Sequence, residues 1–436
     1  MRILYIDPSL SSPLGHHANV TVNVVTALRA LGHDVCVLGN VAAKNIDIDV
    51  ERVFSKSIYR HIHIDPIGIW DLLARSSIAH YESEVLVPLA RFGPDLIYAQ
   101  SVTGIVLAAL MRAIDRLYPS GQRPKLVVEL PFSNSAEGGK TYVGQIRQAL
   151  ENASSQSLAH TKLITVNAQT SAMLSATIEW PVDVFPSPYR LEPVQNSKHG
   201  RGHERKDGRN LVIGVIGHQQ AAKGIGLVPD ILRAALSETS FAKFIVQLQP
   251  GIDSAIRAPL HEMAAETGRI FIEERSLLKN EYEALAHSLN VFLLPYDPKA
   301  YRSMVSGVAY EALSCGGVII APAETPIASL VARYQGTEGL FAPWTVNAIA
   351  KTLAHVLSNF DRLAGLAEEG RIRYLEENGP MAMAHALLSQ TAAQPPMTPL
   401  LTKARALSLR AKAEQTITKA RFRFKRFMIP RRPPSV

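Results

Sequence analysis

The chain has 436 residues, 47% hydrophobic and 19% charged, a balance that excludes disorder throughout and collagen-like repetition and suggests two or three domains. It holds no run of ~20 uninterrupted apolar residues that would span a bilayer, and the apolar start of residues 1–9 is shorter than a signal h-region of ~7 to 15 residues. The net charge of +8 is concentrated in residues 397–436, where eleven Lys and Arg stand against Glu414 alone, so the remaining residues sum to −2, which is not the coating of a nucleic-acid binder.

Short β-branched runs alternate with helical patterns, as in parallel sheets covered by helices. Residues 3–6 are expected as a strand, 20–31 as a helix closed by Gly32, and 35–38 as the next strand, a βαβ unit. Further strands are expected at 96–99, 126–130, 163–166 and 182–185, with a helix over 142–153. Residues 195–210 have no large apolar residue and read as a solvated connection. The alternation then restarts, with strands at 211–216, 244–248, 270–272, 291–294 and 318–321 and closing helices at 348–357 and 361–377. The expected organisation is an α/β domain over 1–194, a linker over 195–210, a second α/β domain over 211–393 and a basic tail over 394–436. Cys36 and Cys315 fit a reducing, cytoplasmic compartment rather than a disulfide framework.

Ligands of open α/β sheets sit at the carboxyl ends of the strands, so the loops there are where chemistry is to be sought. After the first strand comes DPSLSSPLGHH, which lacks G-x-G-x-x-G and so removes the main support for hydride transfer. Its Gly15, His16 and His17 precede a helix start; either histidine can bond a substrate or act as a base, or lie exposed at the helix entry. In the second domain the strand ends in Gly217 and His218, and Lys223-Gly224 leads into a helix. That is a reasonable phosphate cradle, although a lysine so placed is also common at a surface. Ser306 and Gly307 can open a helix whose free amides meet a ligand, and Glu311 one turn in can chelate two ribose hydroxyls or lie solvated. Glu129 ends a buried strand and either faces a ligand or is solvated; His61 and His63 alternate but lack a third metal ligand.

The run S-G-V-x-x-E-A-L-x-x-G-x-V-I-x-A-P, preceded by the glycine turn and Lys-Gly and opened by a βαβ unit with G-H-D-V, resembles retaining glycosyltransferases of the GT-B fold, family 4 type. The resemblance covers roughly residues 2–388. It implies two tandem Rossmann-like domains facing across a cleft, a nucleotide-sugar donor held mainly by the second, an acceptor mainly by the first, and no cofactor or metal ion. It implies donor contacts from Gly217, His218, Lys223, Ser303, Ser306, Gly307, Val308 and Glu311, with Lys223 and Glu311 catalytic, and an acceptor side of Gly15, His16, His17, Gln100 and Glu129. The sequence departs from the family at Ser303, where a second glutamate is usual, at His218, where arginine is, and at Gln100, where histidine is. An epimerase of the same fold and a catalytically silent homologue are the alternatives.

The tail is expected as a basic amphipathic helix with Leu400, Ala404, Leu407, Ala411, Ile417, Ala420, Phe424 and Phe427 near one face, or as a disordered basic segment. Such a helix suits an anionic membrane surface, placing the protein at the periphery of the cytoplasmic leaflet, where lipid-linked glycan acceptors are met. No nucleic-acid partner is expected.

Overall fold

A strand covered on both faces must be apolar along its length, and the β-branched runs of this chain are buried residue after residue in the computed structural model. The structure describes residues 1–13, 15–58, 70–119, 122–130, 139–191, 211–238, 241–302, 304, 306–390 and 407–418; the expected linker, His61, His63, Ser303 and most of the tail lie outside the described residues. Contacts divide the chain into two compact units, Met1–Phe185 with Ala384–Val436, and Pro186–Met383. These bounds differ from the expected 1–194 and 211–393, because residues 186–191 pack with the second unit and residues 384–390 and 407–418 with the first.

In the first unit β1 (Arg2–Ile6) leads through α1 (His16–Ala30) to β2 (Asp34–Asn40) and β3 (Glu51–Phe54). There follow α2 (Trp70–Phe92), β4 (Leu96–Ala99), α3 (Gly104–Leu117), β5 (Lys125–Glu129), α4 (Gly139–Glu151), α5 (Ser155–His160), β6 (Thr161–Thr165), α6 (Ala168–Ile178) and β7 (Val182–Val184). The strands make one parallel sheet in the order β3-β2-β1-β4-β5-β6-β7. The order reverses between β1 and β4, where Ile6 lies beside Ala99, so their carboxyl ends open a crevice. Leu4, Ile6, Ile97, Leu107, Leu110 and Val128 are core residues beneath it. The helix α1 begins at His16, earlier than expected, because Gly15 with φ +86° turns the chain directly into it. His16 and His17 therefore belong to its first turn rather than preceding it.

The second unit repeats the scheme. It runs β8 (Leu211–Val215), short 3₁₀ turns at Ala221–Lys223 and Ile225–Leu227, α7 (Val228–Glu238), β9 (Ala242–Gln247), α8 (Ser254–Thr267) and β10 (Ile270–Glu273). It continues through α9 (Lys279–Ser288), β11 (Val291–Leu293), α10 (Gly307–Cys315), β12 (Val318–Pro322), α11 (Pro326–Gln335), β13 (Leu340–Phe341), α12 (Val346–Ser358), α13 (Phe360–Glu377) and α14 (Pro380–Leu388). The parallel order β10-β9-β8-β11-β12-β13 has its own reversal between β8 and β11. Ser306, Thr325 and Thr345 cap α10, α11 and α12, each hydroxyl accepting from the backbone N–H three residues on.

Residues 407–418 form a further helix that packs on the first unit. Its Ser408, Ala411 and Gln415 are buried; the Ser408 hydroxyl donates to the Ser83 carbonyl at 2.7 Å, and Gln415 Nε2 lies 3.0 Å from His80 Nδ1. Glu414 pairs with Arg112 at 2.9 Å and Arg116 at 3.2 Å, and the same two guanidiniums each lie 3.0 Å from the fully buried Glu82. The expected single apolar face is therefore corrected: Ala411 is buried against the unit while Ile417 is 55% exposed on the other side. Hydrogen bonds and ion pairs to α2 and α3 fix the helix, and their geometry, not its apolar count, sets which face turns inward. Among the described residues no helix is long and apolar enough to cross a membrane.

Candidate functional site

The reversal in the second sheet puts the loop after β8 next to the segment after β11. Gly217, at φ +92°, donates its N–H to Gln247 Oε1 at 2.8 Å, and a side chain there would come within 2.7 Å of Val308 Cγ2. The glycine thus lets the loop approach the first turn of α10. Gly224, at φ +70°, is equally constrained, since a Cβ would lie 1.9 Å from the Pro295 carbonyl oxygen. An Asp297 N–H bond to the Ala222 carbonyl at 3.0 Å pins the same turn from the other side.

Between these glycines Lys223 is drawn inward. Its Nζ lies 5.5 Å from the centroid of the Tyr296 ring and 3.6 Å from where a Gly217 Cβ would stand. Among the described residues it has no hydrogen-bond or ion-pair partner. Burial pulls its ammonium down to about 8, and the charge of nearby Glu311 opposes that only in part. Glu311 is itself buried and accepts a 2.6 Å hydrogen bond from the Tyr282 hydroxyl on α9. Its carboxyl is pushed up by burial, against the Tyr282 bond and the Lys223 charge. Ser306 at the N-cap accepts from Ala309 N–H at 3.3 Å and lies 3.4 Å from the Tyr296 hydroxyl; Gly307 faces the Tyr189 ring, which stacks on Tyr310. The structure therefore brings Gly217, Lys223, Ser306, Gly307, Val308 and Glu311 to one corner of the second unit, whereas His218 is exposed and Ser303 lies outside the described residues.

In the first unit the crevice between β1 and β4 gathers the other candidates. Gln100 is buried, and its Oε1 accepts from the hydroxyls of Tyr5 and Thr21, the latter at 3.2 Å. Glu129 is buried rather than solvated and accepts from the Tyr98 hydroxyl; burial pushes its carboxyl up despite that bond. His17 Nδ1 meets the fully buried Asp7 carboxylate at 2.7 Å, and Asp7 also accepts from Ser9 N–H at 2.9 Å. The rings of His16 and His17 are 4.1 Å apart, and burial, with the charge of His17, pulls His16 down to about 4. His16 is thus a neutral imidazole at ordinary pH, next to a partner oriented by a carboxylate.

Asp7 and Tyr282 were not singled out from the sequence. Asp7 carries a signal, as an acid that directly follows a buried strand at the reversal point. Tyr282 carries none, being 29 residues from Glu311 on a separate helix. Gln219, also missed, is buried between Gly217 and Lys223 with its Oε1 lacking a hydrogen-bond partner.

No family model matches the chain, and no curated protein sequence matches it. Solved structures do. Sucrose-phosphate synthase from Thermosynechococcus elongatus is similar at a TM-score of 0.63 and 16% identity, covering 89% of this chain and 98% of that one. HepE from Anabaena, in complex with UDP-glucose, is similar at 0.60 and 16%, covering 89% and 98%. UDP-GlcNAc 2-epimerase from Neisseria meningitidis, bound to UDP-GlcNAc, is similar at 0.53 and 11%, covering 89% and 99%. At these identities the likeness shows the fold, the α/β architecture with two parallel sheets of GT-B type.

Proposed function

We propose that the protein transfers a sugar from a nucleotide-diphosphate sugar to an acceptor hydroxyl, with the second unit binding the donor and the first the acceptor. The observation that carries this reading is Lys223: a mostly buried ammonium, without an anionic contact among the described residues, beside the capped N-terminus of α10. Burying a cation without its counter-charge is costly, and a diphosphate supplies that charge. The N–H groups of Ser306, Gly307 and Val308 then complete the anion site, and Glu311 accepts from the ribose hydroxyls. Gly217 and His218 border the same corner. The fold shared with the UDP-sugar complexes supports the choice of ligand class.

In this reading the bond from the sugar's anomeric carbon to the diphosphate oxygen breaks, and the acceptor oxygen bonds to that carbon on the same face, with retention. The acceptor proton passes to the departing diphosphate, whose growing negative charge Lys223 and the helix-end amides stabilise. No cofactor or metal ion is called upon. His17, held by Asp7, and its neighbours His16, Gly15, Gln100 and Glu129 orient the acceptor. That acceptor is a hydroxyl of a growing or lipid-linked glycan in cell-surface polysaccharide synthesis, and the sugar transferred is a hexose. The cationic residues 394–436 bring the enzyme to the cytoplasmic face of an anionic membrane. Epimerisation is the second reading, favoured by the fold shared with the Neisseria enzyme.

Calorimetric titration with UDP and GDP tests the donor site. A charge-assisted hydrogen bond is worth ~1.5 to 3 kcal/mol, so Lys223→Ala should weaken binding about tenfold or more. Unchanged affinity in that variant would overturn the reading.

A further inference from the structure

The helix over 407–418 has two faces that differ in kind. Ser408, Ala411 and Gln415 are buried on the first unit, and Glu414 bridges Arg112 and Arg116. At 100° per residue the side chains opposite that face are Leu409, Ala413 and Ile417, spaced by four. Leu409 is 69% exposed and Ile417 55%, and Leu409 is the most exposed large apolar side chain among the described residues. Arg410 and Lys412, both exposed, flank the stripe. A short, docked helix has no folding reason to display two aliphatic side chains outward, since exposing them forfeits the gain of their burial.

We infer that this outward stripe is the surface that enters an anionic lipid bilayer, so that the first unit sits on the membrane in one fixed orientation instead of swinging on a flexible tether. The inference deepens the membrane part of the proposed function and rests on it for the partner. Charge complementarity favours lipid. The cations beside the stripe are followed in sequence by seven more Lys and Arg over residues 419–432, interleaved with Phe422, Phe424 and Phe427. Aliphatic side chains between cations suit the boundary of headgroups and acyl chains, where the one set is buried and the other meets phosphate. A phosphate backbone alone would leave Leu409 and Ile417 without use.

The test is co-sedimentation of the full chain with phosphatidylcholine vesicles, with and without phosphatidylglycerol. The wild type should pellet with the anionic vesicles only. Leu409→Ser/Ile417→Ser should lower that partitioning by about tenfold or more, the loss expected when two aliphatic side chains no longer enter the interface. Ala413→Glu should do the same by placing a charge in the stripe. Both variants alter exposed positions, so thermal unfolding and UDP titration should match the wild type. Equal binding by the stripe variants and the wild type would overturn the inference while leaving the membrane partner standing. Absence of wild-type binding would overturn both. A concentration-dependent dimer abolished by the variants would assign the stripe to a second copy and also overturn it. Because no donor is present, none of these outcomes bears on the transfer chemistry.

Discussion

Replacing Lys223 by methionine should make the protein more stable and less able to bind nucleotide. Methionine keeps the length and apolar body of the side chain but not its charge. In the folded chain burial pulls the ammonium from its ordinary 10.5 to about 8, so the unfolded chain holds the proton more tightly. Below pH 8 the folded state therefore carries a penalty of about 3 kcal/mol, taken at 1.36 kcal/mol per pH unit between the two values. Between pH 8 and 10.5 the unfolded state binds more protons, stability rises with pH, and above that window the penalty is gone. Lys223→Met removes it at every pH. Urea unfolding should show the variant ahead by up to about 3 kcal/mol at pH 7 and level with the wild type near pH 10.5. Calorimetry at pH 7 should show UDP affinity down about tenfold or more. A variant no more stable than the wild type at pH 7, or one that keeps its nucleotide affinity, would refute the view that Lys223 is a buried charge held ready for an anion.

Glu311→Gln should weaken UDP more than 2′-deoxy-UDP in paired titrations, because the deoxy ligand has already lost one partner. Tyr282→Phe should push the Glu311 carboxyl still higher by removing its 2.6 Å donor, so that UDP affinity begins to fall at a higher pH on acidification than in the wild type; superimposed pH profiles would contradict this. Gly224→Ala meets both a left-handed φ of +70° and a carbonyl oxygen at 1.9 Å; a loss of more than about 2 kcal/mol in urea unfolding and of UDP binding is expected. Glu414→Ala breaks a half-exposed bridge and should cost under about 1 kcal/mol globally, yet trypsin should cut faster at Arg410 and Lys412 as the helix detaches.

The strands were legible because doubly covered parallel strands leave continuous β-branched runs, whereas the strand order and its two reversal points are set by the fold. The elements that escaped had their burial disguised. The inward positions of α2 include Ser76, Ser77, Glu82 and Ser83, of which Glu82 is held by Arg112 and Arg116 of α3, so no apolar period marks it. The edge strand β3 has only four residues and carries Glu51 and Arg52. The start of α1 was misplaced because Ala18 and Asn19 precede its strongest apolar run, although Gly15 marked the turn. At the candidate site the glycines and Lys223 announced themselves by spacing along one loop. Asp7 and Tyr282 act across elements, and only the fold brings them to His17 and Glu311. The tail's cationic composition is plain in the sequence, but its lone acid, Glu414, joins Ser408, Ala411 and Gln415 in holding the helix and setting which face looks outward.

Sugar transfer from a nucleotide donor is tested by incubating the protein with a panel of nucleotide-diphosphate sugars. Released nucleoside diphosphate is counted, and the anomer of the freed sugar is read by NMR before it equilibrates. One donor should be hydrolysed slowly, with the sugar released in the donor's own anomeric configuration and the rate lost in Lys223→Ala. No diphosphate released from any donor, or a sugar nucleotide recovered as its 2-epimer, would contradict it.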